Sequence, residues 1–132
     1  MKIVLANGVF DIIHYGHIEH LRQARAMGDL LIVSVTADGW VNKGPGRPIN
    51  NWEYRSGVLL ELRCIDQVIR TIGAVAAINR VRPNIFVKGI DYAGGDMFTE
   101  EIEKACKAVG AELRYTDTKK VSIKELILKA MA

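Results

Sequence analysis

The sequence predicts a single Rossmann-like α/β domain: five parallel strands in the order 3-2-1-4-5, doubly wound, with helices on both faces. Three observations predict it. Short aliphatic runs alternate with helical stretches along the whole chain, which is the rhythm of repeated βαβ units. The runs Ile3-Val4-Leu5, Leu30-Leu31-Ile32-Val33 and Ile85-Phe86-Val87 are continuously apolar, as expected of strands covered on both faces. A length of 132 residues suits one core, so residues 1–132 are read as one domain.

The elements follow in order. The first strand is expected over residues 2–5, and a helix over 17–27 closes at Gly28, read as a helix-terminating glycine. The second strand is placed at 30–36. Asn50-Asn51-Trp52-Glu53 has the spacing of an N-cap with a glutamate reaching back, opening a helix through Leu62. The third strand is 67–70, followed by a helix over 71–81 that Pro83 stops. The fourth strand is 85–88. Thr99 can cap a helix to Val109 with Gly110 behind it, the fifth strand is 111–115, and Ser122-Ile123-Lys124-Glu125 is a capping box for the last helix, to Met131.

Composition narrows the function. The chain is 49% hydrophobic and 25% charged with 3 prolines, ordinary globular usage that excludes a disordered or collagen-like chain. Eighteen Lys and Arg against 15 Asp and Glu leave +3, too little to mark a nucleic-acid binder without a concentrated patch. Cys64 and Cys106 lie far apart with no C-x-x-C spacing, as expected of reduced thiols in a cytoplasmic protein. No apolar run approaches the roughly 20 residues that span a bilayer, so no membrane partner is expected.

The strand order makes strands 1 and 4 neighbours where the winding reverses, and ligands bind beyond the carboxyl ends of strands at such a switch point. The loops leaving those two strands contain Asn7-Gly8-Val9-Phe10-Asp11-Ile12-Ile13-His14-Tyr15-Gly16-His17 and Gly89-Ile90-Asp91-Tyr92. A third, longer connection, residues 37–49, holds Gly39, Gly44, Pro45, Gly46 and Pro48, and long loops in compact domains tend to carry function.

Neither G-x-x-x-x-G-K-[ST] nor G-x-G-x-x-G follows the first strand, which removes the common phosphate-binding loops. In their place stands His14-Tyr15-Gly16-His17. Gly16 lets backbone approach a ligand, His17 falls in the first turn of a helix, and a helix N-terminus attracts anions. Two imidazoles there can donate hydrogen bonds to phosphate oxygens; the plain alternative is a pair of capping or packing histidines. A metal site is the rival, since His14, His17 and His20 recur every third residue with Asp11 nearby. Helical zinc pairs, however, use i, i+4 spacing, so no protein-held metal is expected and His20 is read as a surface residue.

Lys43, Arg47 and Arg55 bracket the Gly/Pro-rich loop. They are read as phosphate contacts, Arg55 for a second substrate, against the alternative of a solvated loop and helix face. Lys88, Gly89 and Asp91 leave strand 4 at the switch point, where ligand contact competes with an ordinary turn. Trp52, Tyr54, Val58, Leu59 and Leu62 form an apolar helix stripe, read as core with a dimer contact as the alternative.

Gly8-Val9-Phe10-Asp11 followed by His14-Tyr15-Gly16-His17 resembles the G-x-F-D-x-x-H-x-G-H signature of the cytidylyltransferase-like nucleotidyltransferases. The resemblance runs on through Asp38, Lys43, Arg47, residues 50–55 and Val87-Lys88-Gly89-Ile90-Asp91-Tyr92, nearly the whole chain. Within that family the motifs look most like the adenylyltransferase domain of bacterial ADP-heptose synthesis, with glycerol-3-phosphate cytidylyltransferase next. The resemblance implies that His14 and His17 hold triphosphate and stabilise the transition state, with Lys43 as a third catalytic contact. It implies nucleotide binding by Gly8, Val9, Phe10, Asp11, Gly16, Lys88, Gly89, Asp91, Thr118 and Ser122, with Asp11 organising its loop. The second substrate falls to Asp38, Arg47 and Arg55. The implied reaction uses Mg²⁺ with ATP or CTP and no dedicated protein cage: a phosphate oxygen of a small phosphorylated sugar or polyol attacks the α-phosphorus, and pyrophosphate leaves. A homodimer is implied as well. The stretch Asp117-Thr118-Lys119-Lys120-Val121-Ser122-Ile123-Lys124 departs from the family's hydroxyl-rich run; only Thr118 and Ser122 align, and Lys120 and Lys124 could supply charge in place of the missing hydroxyls. A catalytically inactive nucleotide-binding module is the reading from another class.

Overall fold

A computed structural model describes residues 1–89, 99–117 and 123–132, apart from the side chain of Ile123. Five parallel strands form one sheet in the order β3-β2-β1-β4-β5, as the apolar runs predict. The strands are β1 (Ile3–Gly8), β2 (Leu30–Thr36), β3 (Gln67–Thr71), β4 (Ile85–Gly89) and β5 (Glu112–Thr116), and the helices are α1 (Tyr15–Ala26), α2 (Trp52–Leu60), α3 (Ala74–Val81), α4 (Thr99–Val109) and α5 (Ile123–Met131). A single 3₁₀ turn, Asp38–Trp40, opens the long loop after β2.

The continuous runs are explained by two cores. Val4, Ala6, Leu31, Val33, Val35, Ile85 and Val87 face Leu21 and Ala24 of α1 and Leu59 of α2. Leu5, Ile32, Ile69 and Phe86 face Ala77 and Ile78 of α3 and Ile102, Ala105 and Cys106 of α4. Successive strand residues point to opposite faces, so both parities must be apolar.

Several boundaries shift for identifiable reasons. β1 runs three residues beyond its expected end because Ala6, Asn7 and Gly8 continue in register with Val33, Ser34 and Val35. Gly28 follows the end of α1 without a positive φ; its reason is space, since a Cβ there would lie 2.7 Å from Val4 Cγ2 and 2.9 Å from the Lys2 carbonyl. Asn51 rather than Asn50 caps α2, accepting from the Tyr54 amide at 2.9 Å, while Glu53 turns away to Arg70 at 2.8 Å. α3 starts at Ala74 because Thr71 belongs to β3, where its hydroxyl meets Ser34 Oγ at 2.5 Å. The Ser122 cap lies outside the described residues. Among the described residues no helix is long and apolar enough to cross a membrane.

Candidate functional site

The site is assembled at the carboxyl edge of the sheet, beginning with the loop after β1. Phe10 (φ 51°) and Ile12 (φ 66°) both occupy the left-handed region, which costs about 1–3 kcal/mol for each non-glycine residue and persists only where surroundings over-determine it. They do so here. The Phe10 ring is buried in the core and closes over Gly8, where a Cβ would come within 2.8 Å of it. Between the two residues the Asp11 side chain, wholly removed from solvent, accepts from the amides of Ile49 (2.5 Å) and Asn50 (3.0 Å) and from Arg47 Nε (3.0 Å). Burial pushes its pKa up, but the two amides and the Arg47 guanidinium outweigh that and hold it below the ordinary carboxylate value. Asp11 therefore fastens the end of the second loop to the first, a wider role than ordering its own loop.

His14 caps α1. Its Nδ1 accepts from the Gly16 amide at 3.1 Å, and His17 Nδ1 accepts from the His14 amide at 3.2 Å, a reciprocal capping box built from two imidazoles. The rings lie 3.9 Å apart, and Phe10 meets His17 edge-on at 5.5 Å. Backbone amides can only donate, so both Nδ1 atoms act as acceptors and a neutral ring carries its proton on Nε2. The capping alternative and the ligand reading are thus compatible: capping fixes the tautomer and turns the Nε2–H edge of each ring away from the backbone it caps. His17 is driven down to about 4, mainly by burial and further by the charges of His14, Lys43 and His20, so it is a neutral donor at pH 7.

Arg55 was expected on a second substrate, but the structure places it inside, 1% exposed. Nε donates to the Asn50 carbonyl (2.9 Å), Nη1 to the Val9 carbonyl (2.8 Å) and Nη2 to Asp38 Oδ1 (2.5 Å). One guanidinium therefore ties together the first loop, the 3₁₀ turn and the start of α2. Asp38 is half of this ion pair, with its side chain 45% exposed. Arg47 leans on Asp11 at the mouth, its side chain 23% exposed. Lys43 stands exposed on the same loop, close enough for its charge to act on His17. Lys88 Nζ lies 3.4 Å from Thr99 Oγ1, at the end of β4 beside Gly89.

The structure thus gathers Gly8, Val9, Phe10, Asp11, His14, Gly16, His17, Asp38, Lys43, Arg47 and Arg55 around two stitched loops. Asp91, Thr118 and Ser122 lie outside the described residues. His20 is not a surface residue: half-buried, it shares a 2.6 Å hydrogen bond with Thr116 Oγ1. That bond, with both Asp11 oxygens taken by Ile49, Asn50 and Arg47, leaves the zinc reading without a common ligand point. Asn7, at the head of the first loop but given no role from the sequence, has a buried Oδ1 that lacks a hydrogen-bond partner at the end of β1.

The profile of the cytidylyltransferase-like family matches residues 5–125. The chain belongs to that family. Members similar to it include the bifunctional protein HldE of Pseudomonas putida (strain GB-1), 45% identical over 108 residues, 79% of this chain and 23% of that one. The bifunctional protein HldE of Aliarcobacter butzleri (strain RM4018) is 40% identical over 112 residues, 82% of this chain and 24% of its own. The chain therefore spans about a quarter of the length of the curated relatives it matches. Among solved structures, the lipopolysaccharide core biosynthesis protein of Thermoplasma volcanium GSS1 superposes with TM-score 0.74 at 28% identity, covering 91% of this chain and 99% of that one. Pantoate-beta-alanine ligase of Francisella tularensis, at TM-score 0.66 and 15% identity over 91% of this chain and 60% of its own, shares the fold alone.

Proposed function

We propose that this cytidylyltransferase-like domain transfers the adenylyl group of ATP to the phosphate of a small sugar phosphate of the heptose 1-phosphate kind, releasing pyrophosphate. The observation that carries the reading is the reciprocal His14–His17 cap, which presents two fixed Nε2–H donors beside the positive end of α1. A phosphate oxygen of the acceptor attacks the α-phosphorus, the bond to the bridging oxygen of the β-phosphate breaks, and pyrophosphate leaves with that electron pair. No enzyme-bound covalent intermediate is needed. His14 and His17 meet the charge that builds on the phosphate oxygens, and the ammonium of Lys43 adds to it from the second loop. Asp11 and Arg55 act through the backbone, holding the two loops at one separation.

The Thermoplasma protein's description as a lipopolysaccharide core biosynthesis protein supports a sugar acceptor over glycerol 3-phosphate. Lys88 and Gly89, with Asp91, Thr118 and Ser122, are proposed for the nucleotide, and Arg47 and Asp38 for the acceptor. Mg²⁺ is proposed to arrive on the triphosphate. Of the two carboxylates gathered here, Asp11 has both oxygens engaged and Asp38 is paired with Arg55; Mg²⁺ is commonly held by substrate phosphates and water.

The homodimer is proposed on the outer face of α2, where Tyr54 and Val58 are 69% and 50% exposed beside Ile12; light scattering reporting a single-chain mass would remove it. Cytoplasmic placement, with Cys64 and Cys106 reduced, completes the reading.

The test is pyrophosphate release with Mg²⁺, crossing ATP and CTP against heptose 1-phosphate and glycerol 3-phosphate. Release with ATP and the sugar phosphate is expected. Release only with CTP and glycerol 3-phosphate would replace both substrates, and triphosphate binding without release from any pair would make the domain a binding module.

A further inference from the structure

His14, His17, His20 and Gln23 follow one another at i+3 along α1, and the first two complete the cap. The other two are turned to β5. His20 Nδ1 and Thr116 Oγ1 share their 2.6 Å bond, and Gln23 Oε1 accepts from the Asp117 amide at 2.7 Å. Thr116 is fully buried as the last residue of β5, and Asp117 is where the chain leaves the sheet. At 1.5 Å per residue, His20 and Gln23 sit only about 4.5 and 9 Å along the axis from His17.

We propose that His20 is a positioning residue for triphosphate binding: with Gln23 it fastens the exit of β5 to the helix that presents His14 and His17, so the chain leaving β5 starts at a fixed distance from the phosphate-binding turn. This rests on the nucleotidyltransferase reading above. The carboxyl end of every strand in such a sheet faces the ligand crevice, so the exit of β5 at Thr116 and Asp117 lies on the same edge as His17, and its place there is set from α1. His20 serves this purpose as a hydrogen-bonding side chain rather than as filler, because the atom it meets is a buried hydroxyl that apolar packing would leave with one partner fewer.

The experiment measures the dissociation constant of a non-hydrolysable ATP analogue by calorimetry, together with KM for each substrate, on the full chain carrying His20→Leu, His20→Asn, Thr116→Val or the Leu/Val pair. His20→Leu keeps bulk and removes the hydrogen bond. It is expected to weaken the analogue roughly tenfold, or ~1.4 kcal/mol, to raise the KM for ATP alike and to leave the acceptor KM in place. His20→Asn, whose carboxamide can stand near Nδ1, is expected to recover most of the loss, and the double variant to bind no worse than His20→Leu alone. Analogue affinity within twofold of wild type in His20→Leu would overturn the proposal. So would both KM values rising together with a fall in melting temperature, the mark of a merely structural residue. Wild type that binds the analogue but releases no pyrophosphate would overturn the functional reading and leave the variant affinities to decide this one; wild type that binds no analogue would overturn both.

Discussion

His17 Nδ1 accepts the His14 amide at 3.2 Å while His14 caps the turn that carries His17. Each ring is therefore held by a backbone amide of the same turn, His17 by that of His14 and His14 by that of Gly16, and helix capping and donor presentation are one arrangement.

The two roles of His14 separate by substitution. Asparagine is a strong N-cap and lacks the Nε2 donor; alanine lacks both. His14→Asn is expected to keep the melting temperature near wild type and to lose about 10²–10³ in kcat, the usual effect of removing one preorganised donor. His14→Ala should lose the same activity and a further ~1 kcal/mol of stability. Chemical denaturation beside steady-state kinetics checks both, and retained turnover in His14→Asn would reduce His14 to a cap.

Arg55 is expected to matter more to folding than to any substrate. Arg55→Met leaves the Val9 and Asn50 carbonyls and the half-exposed Asp38 carboxylate without their shared donor, and an acceptor left unpaired away from water costs about 1–3 kcal/mol. A urea midpoint close to wild type, with only the acceptor KM raised, would return Arg55 to the substrate.

Stability is expected to fall on acidification from neutral pH. His17 and His20 are both lowered to about 4 in the folded protein, mainly by burial. As pH drops below about 6.5 the unfolded chain takes up protons at these imidazoles while the folded chain does not, so stability rises with pH between 4 and 6.5. The full effect by pH 4 is on the order of 3 kcal/mol per imidazole. Asp11, held below the ordinary carboxylate value, adds stability above that value that is lost as pH falls from it through the folded pKa, below the range in which the imidazoles act. Melting temperatures at pH 8, 7, 6 and 5 check this: little change from 8 to 7, then a steady decline. A midpoint at pH 5 equal to that at pH 7 would contradict the burial of both rings.

Sheet order was legible because two-sided burial leaves continuous apolar runs, and that order alone puts the loop after β1 at the carboxyl edge of the sheet. Long-range polar pairing was not legible. Asn50 and Asn51 are equally good caps by local rules; Asn51 takes the position in the structure, where the Asn50 amide is engaged by Asp11 and its carbonyl by Arg55. A lone arginine in a helix reads as solvated, and only three partners from separate segments let Arg55 be buried. His20 reads as surface because its partner, Thr116, is 96 residues away.

The most direct measurement is the rate of pyrophosphate release from ATP and heptose 1-phosphate with Mg²⁺ by wild type and His17→Asn, each shown folded by its melting temperature. A fall of about 10²–10³ in kcat with triphosphate still bound is the predicted result. Equal rates in the two proteins would contradict the account, because the His14–His17 pair would then hold the helix and do nothing to the phosphates.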